Sequence, residues 1–352
     1  MQRLYKIDLL RFLAAFFVVL FYYAFRAPGQ GMGLMPYPAL LPMAQYGYLS
    51  VHLFFMISGL VILMTASNGS ARHFVISRII RLYPAFIVCC TLTFLVIIGF
   101  GGELYQASLK QYLINLTMLG GFFNIKEIDG VYWTLYVEIK FYLLVFLIVL
   151  AGQIDKSKIL LGLWLIPALL TTTPLIRYIP AFIIPDSAPF FIAGALFFLL
   201  YKEGPCPYKL FMLFASFAGS LLTAALKAEG KAWHHRITFD FSVISLVLGV
   251  FFIVFFLLAS RLSAHFSSPC WNYLGTLTYP LYSIHHTVGF IIFMRLYPGV
   301  NPHLLMWGTV ALMLVIAHLV HTKVERICAR PLKNKLEKLF LVRSSVSQPS
   351  IQ

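Results

Sequence analysis

Apolar residues run through the chain in blocks of about 20, the length a helix needs to cross a bilayer. Ten such blocks can be drawn, near 7–26, 47–66, 82–101, 136–152, 158–174, 187–202, 208–226, 240–260, 275–296 and 304–321. The connections between them are mostly brief, and no internal repeat or second domain interrupts them. The pattern predicts an all-α integral membrane protein with about ten transmembrane helices in one bundle. The bundle would take residues 1–325, leaving 326–352 as a basic cytoplasmic tail that ends in a partly disordered SSVSQPSIQ stretch.

Composition agrees with the pattern. Of 352 residues 60% are hydrophobic and only 11% are charged, against roughly 25% charged in an ordinary soluble domain. Intrinsic disorder is excluded on the same ground. The first apolar block is too long for a signal-peptide core and lacks a small-residue cleavage site, so it reads as a retained helix. The five cysteines, Cys89, Cys90, Cys206, Cys270 and Cys328, show no metal-ligand spacing and no disulfide frame. No metal site is expected.

The 27 Lys and Arg against 12 Asp and Glu give a net charge of +15. In a soluble protein this would suggest a nucleic-acid partner; here the position of the charge matters more. If the N-terminus is cytoplasmic and ten spans alternate, most basic residues fall on the cytoplasmic side, among them Arg72, Arg78, Arg81, Lys202 and the run from Lys323 to Arg343. That asymmetry places both termini inside. The tail would lie on anionic lipid headgroups, and nucleic acid is not expected as a partner.

Ionisable side chains within an apolar span are functional candidates. Asp8 and Arg11 are i, i+3 in the first span, and Tyr22 lies about three turns beyond Arg11 on the same face, roughly 16 Å along the axis. His52 opens the second span near the depth expected for Tyr22. Arg78 and Arg81 are again i, i+3; two guanidinium forks on one face suit phosphate groups, although ordinary positive-inside anchoring uses the same residues. Glu138 and Tyr142 share a face of the fourth span, with Trp133 at its outer end, either to stack on a sugar or to join an aromatic belt. His285 and His286 lie mid-span on neighbouring faces about 100° apart, so they cannot both face one site equally.

The stretches IDLLRFLAAFFVVLFYY, LSVHLFFMISGLVI, SRIIRLYP, YWTLYVEIKFYL and YPLYSIHHTVG, in that order, resemble membrane-bound acyltransferase family 3, which includes bacterial O-antigen and exopolysaccharide O-acetylases. The resemblance implies a multi-pass protein of the bacterial inner membrane. It would move an acyl group, commonly acetyl, from cytoplasmic acyl-coenzyme A to a hydroxyl of a cell-surface or lipid-linked glycan. Arg11 matches the family's arginine of the first span, Arg78 and Arg81 match its donor-associated Arg-x-x-Arg pair, and Glu138 matches the acidic residue after Trp-Thr-Leu.

The chain departs from the family at one position: the family carries a catalytic His eleven residues after the first-span arginine, where this chain has Tyr22. A sugar hydroxyl needs a proton acceptor, and an unperturbed phenol is only about 0.1% ionised at pH 7. Three expectations follow. Another base serves, His52 or Glu138; or positive charge ionises Tyr22; or the chain is an impaired relative that binds without turnover. A lipid or glycan transporter is the rival from another class. On the acyltransferase reading Arg11, Tyr22, His52 and Glu138 are the catalytic set. Arg78 and Arg81 hold the donor, and Trp133, Tyr142 and His285 meet the acceptor.

Overall fold

A computed structural model describes residues 5–27, 37–67, 69–171, 173–235, 238–260 and 268–346. Among them there are helices and no strands. In chain order they are α1 (Tyr5–Leu20), running into a π-helical segment (Phe21–Arg26), α2 (Leu41–Ala44), α3 (Ser50–Ala66), α4 (Ala71–Phe100), α5 (Leu109–Asn115), α6 (Tyr132–Leu150) and α7 (Ser157–Leu169). Then come α8 (Ala188–Glu203), α9 (Pro207–His235), α10 (Phe241–Ala259), α11 (Pro269–Leu296) and α12 (Pro302–Val320). A second π segment (His321–Glu325) joins α12 to α13 (Arg326–Val346).

Each predicted block falls on a helix, and among the described residues seven helices are long and apolar enough to cross a membrane. The three outside that set have physical reasons to be. α7 and α8 are short, with 13 and 16 residues. α11 is long, but it carries Thr278, Tyr279, Tyr282, Ser283, His285, His286 and Thr287 along one stretch. Both α8 and α11 are enclosed on every side, from Ala188 to Leu200 and from Leu277 to Ile291 respectively. A helix that never meets lipid can be short or polar without exposing backbone or polar groups to hydrocarbon.

These two enclosed helices centre two apolar cores. One gathers α3, α6, α7, α9 and α10 around α8. The other gathers α4 and α12 around α11. α1 contributes to both, and Tyr22, Val51, Phe54 and Tyr142 pack against both, marking the seam. Large apolar side chains such as Leu95, Ile98, Phe214, Leu246, Ile253 and Val315 remain exposed on the outer helices, which suits lipid contact and would be costly in water.

Local chemistry sets the helix ends. Ser70 accepts a hydrogen bond from the His73 N–H at 3.3 Å and so starts α4. This start lies well before the predicted span at 82, because Pro84 sits inside α4 without ending it. Arg72, Arg78 and Arg81 are therefore helical residues, not part of a connecting loop. Asp240 caps α10, and Asn301 followed by Pro302 opens α12. The basic tail continues the last span as a helix through Val346; residues 347–352 lie outside the described residues.

The closest helix approach is α3 on α8. A Cβ built on Gly59 would lie 2.0 Å from the Phe191 carbonyl oxygen, and one on Gly194 would lie 1.8 Å from that of Met56. Small residues let helix backbones touch in this way. The crossing fixes the rotation of α3, and with it which α3 side chains reach the seam.

Candidate functional site

A cavity of about 100 Å³ lies at the seam, lined by α1, α3, α4, α6 and α11. Arg11, Arg78 and Arg81 line it together with Glu138 and Tyr142. The i, i+3 spacing puts both α4 guanidinium groups on one helix face. Arg78 also stands 5.8 Å from the Tyr142 ring centroid and donates to Ser77 Oγ at 2.8 Å. Arg11 is 3.7 Å from Asp8, which holds its guanidinium from below.

Glu138 Oε1 accepts two hydrogen bonds, from Ser58 Oγ at 2.6 Å and from Tyr142 Oη at 2.5 Å. The carboxylate is thereby fixed between α3 and its own helix. Three guanidinium groups facing one carboxylate make the cavity an anion-binding space, and its low-polarity walls strengthen the attraction. The basic α13 belongs to the same end of the molecule, because Arg72 Nη2 at the start of α4 donates to the Glu337 carbonyl at 2.5 Å.

Tyr282 and Thr134 also line the cavity and are joined at 2.8 Å. Thr134 Oγ1 gives its hydrogen to the Val131 carbonyl, so Tyr282 is the donor in the Tyr282–Thr134 bond. Beyond Tyr282 lies a second cluster. The His285 ring is 5.7 Å from that of Tyr282, and Tyr22 packs edge-on to both histidines, 5.4 Å from His285 and 4.4 Å from His286. Tyr22 belongs to the first π segment, where Ala27 N–H donates to the Tyr22 carbonyl at 2.8 Å. Such widened turns often occur at functional sites.

Asp129, fully buried in the loop before α6, backs this cluster. Its Oδ1 is 3.3 Å from His286 Nδ1 and accepts from Val131 N–H at 3.1 Å. Its Oδ2 accepts from Thr287 N–H at 3.0 Å. His285 is held differently: its Nδ1 faces the Tyr282 and Leu281 carbonyls of its own helix, at 2.9 and 3.2 Å.

The candidate residues therefore divide between two places. Arg11, Arg78, Arg81, Glu138 and Tyr142 share the cavity, while Tyr22 and His285 lie in the cluster beyond Tyr282. Glu138 thus keeps company with the arginines and not with Tyr22. His52 lines neither place: its ring stacks flat on Phe190 at 4.2 Å and 3°, turned toward α8. Trp133 is 39% exposed and is not among the residues that line the cavity. Sequence reasoning named His286 without giving it a role and did not single out Asp129. The available signals were an acidic residue followed by Gly130 just ahead of a span, and the second of two adjacent histidines.

Enclosed core helices, apolar outer helices and a cationic cavity at their seam define a multi-pass, all-helical membrane protein. Residues 4–322 match the model of acyltransferase family 3, an acyltransferase domain, and the chain belongs to that family. The match takes in both clusters and stops just short of α13. Searches of characterised proteins and of solved structures give no match.

Proposed function

We propose that the protein is a membrane-bound O-acyltransferase. It moves an acyl group, acetyl on the family resemblance, from acyl-coenzyme A to a hydroxyl of a cell-surface or lipid-linked glycan at the bacterial inner membrane. The reading rests on one observation: in a chain of this family, Arg11, Arg78, Arg81 and Glu138 converge on a single cavity. Coenzyme A is a polyphosphate, and guanidinium forks bind phosphate oxygens in pairs. Arg78 and Arg81 hold those phosphates, and Arg11 stabilises negative charge further along the path. The shared end of the basic α13 and the arginine cavity supports a cytoplasmic donor and cytoplasmic termini.

Glu138 and Tyr142 orient the acyl arm. Glu138→Gln keeps the shape but removes the charge that draws in the Ser58 and Tyr142 hydroxyls. The variant is expected to lose about tenfold in kcat, in line with one charge-assisted hydrogen bond replaced by a neutral one. Initial rates at saturating donor test this.

The function itself is tested with purified protein in lipid nanodiscs, supplied with radiolabelled acetyl-coenzyme A and total glycolipid from a bacterial membrane. Label is expected in the glycolipid. Donor binding without transfer would favour a non-catalytic binder, and glycolipid movement across vesicles without labelling would favour a transporter.

A further inference from the structure

We infer that a slot between α6 and α7 holds one acyl chain of a membrane phospholipid, with the lipid phosphate at Lys156 and Lys158. The slot follows from how the two helices are held. They are consecutive and joined by a short turn, and such neighbours usually pack on each other. Here each is fixed elsewhere. α6 is tied to α3 through Glu138 and Ser58, and its Phe141 ring lies 4.3 Å from that of Phe191 on α8. α7 packs on α8 and α9. A Cβ on Gly162 would lie 2.6 Å from Tyr208 Oη of α9, and that hydroxyl donates to the Lys158 carbonyl at 3.0 Å.

Between the two helices lies a cavity of about 320 Å³. Leu144 and Ile148 of α6 line one side and Leu160 and Leu163 of α7 the other, while the enclosed α8 contributes Ala195. Trp164 also lines it, stacked on Phe141 at 5.7 Å and 8°, and its indole N–H already donates to the Ile183 carbonyl at 2.7 Å.

Three observations point to the occupant. First, apart from Ser157 and that bonded indole, every lining side chain is hydrocarbon. Water finds few partners in such a space, and an empty slot forfeits packing along its walls. Second, the slot borders the lipid-facing surface: Leu163 lines it and is exposed, as are Leu147 on α6 and Ile159 and Ile166 on α7. Alkyl chain is what bathes that surface. Third, the depth matches. Ser157 and Pro167 both line the slot and are about 15 Å apart along the helix axis, half of a hydrocarbon core about 30 Å thick.

Charge at the Ser157 end places the headgroup. Lys158 and Lys209 share Glu203, at 2.7 and 3.3 Å, so two cations meet one carboxylate. The exposed Lys156 offsets its neighbour Asp155 and leaves that end positive. An ammonium group binds phosphate as a point charge. Phe141 lines the slot and Tyr142 the arginine cavity, so the chain braces the helix that separates them.

The test uses full-length protein in nanodiscs of phosphatidylglycerol with a photoactivatable diazirine midway along one acyl chain. Cross-links mapped by peptide mass spectrometry are expected to concentrate at residues 144–148 and 157–167. The comparison is the exposed face of α10 at Leu246 and Ile253, which lipid only bathes. Lys156→Gln is expected to lower slot cross-links about fivefold, the change that about 1 kcal/mol for one lysine near an anionic surface gives, with those on α10 unchanged. Leu163→Trp puts an indole at the exposed mouth and should abolish them. Released into mild detergent, the wild type should keep a single phospholipid, seen in the intact mass, that Leu163→Trp lacks. Slot cross-links no denser than those on α10, or unchanged in both variants, overturn the assignment. Detergent or a polyprenyl lipid retained instead of phospholipid also overturns it. If Leu163→Trp does not purify as a monodisperse species, unchanged slot cross-links in Lys156→Gln overturn it alone. None of these readouts uses acyl transfer, so each outcome leaves the acyltransferase reading as it stands.

Discussion

Arg78→Ala and Arg81→Ala are each expected to raise the KM for acetyl-coenzyme A by about ten- to a hundredfold, with a smaller change in kcat. A hydrogen bond to a charged group is worth about 1.5–3 kcal/mol, and about 1.4 kcal/mol is tenfold in binding. Both side chains line the same cavity from one face of α4. They act on one group, and the double variant should therefore fall short of the product of the two singles. Arg→Lys at either position keeps the charge but loses the fork, and should recover only part of the affinity. Arg72→Ala is the control on the same helix: its side chain holds the Glu337 carbonyl and does not line the cavity, so donor KM should stay at the wild-type value. Donor titrations of transfer rate in nanodiscs measure every one of these variants. Equal KM values in wild type and Arg81→Ala would remove the donor from this cavity.

The arginine cavity was largely legible in the sequence because charge inside an apolar run is conspicuous and helical spacing assigns it a face. Arg11, Arg78, Arg81, Glu138 and Tyr142 were all found in this way. Rotation of a helix about its own axis is what sequence spacing leaves open. His52 and Ser58 are both on α3, six residues apart and so about 120° apart around the axis. Once Gly59 meets α8, Ser58 reaches Glu138 and His52 must turn to Phe190. The depth estimated for His52 gave no hint of that rotation.

The Asp129–His286 pair was hidden for a different reason. It joins a loop before α6 to the middle of α11, and no periodicity links the two. Only packing brings them together, through Tyr132 Oη on the Ser283 carbonyl at 3.1 Å and Asp129 on Thr287 N–H. The seven clear spans were legible for the opposite reason: lipid-facing helices must be apolar. α11 escapes that demand by being enclosed, and this is what permits a helix in a membrane protein to carry two adjacent histidines.

The largest loss of stability is expected from Gly194→Ala. Its new methyl group would lie 1.8 Å from the Met56 carbonyl oxygen and 2.7 Å from the Met56 carbonyl carbon. Those are backbone atoms of a packed helix, so no rotamer change can relieve the overlap; α3 and α8 must separate. Overpacking of this kind costs about 1–3 kcal/mol and sometimes more. Here the separation also loosens Phe55 on Phe191 and His52 on Phe190, which stack across the same interface at 4.7 and 4.2 Å. A fall in the apparent unfolding temperature in detergent on the order of 5–10 °C is expected, using about 2–4 °C per kcal/mol for larger domains. Gly59→Ala should behave alike, since its methyl group would meet the Phe191 carbonyl from the other side of the crossing. Gly249→Ala on α10 supplies the contrast. Nothing lies within 4 Å of its added Cβ, and alanine is the better helix former by roughly 1 kcal/mol, so its unfolding temperature should hold or rise. Because the α3–α8 crossing also sets the rotation that brings Ser58 to Glu138, Gly194→Ala should lower kcat even at temperatures where the variant remains folded. A variant that melts early yet transfers acyl groups at the wild-type rate would separate the crossing from the cavity it is argued to shape.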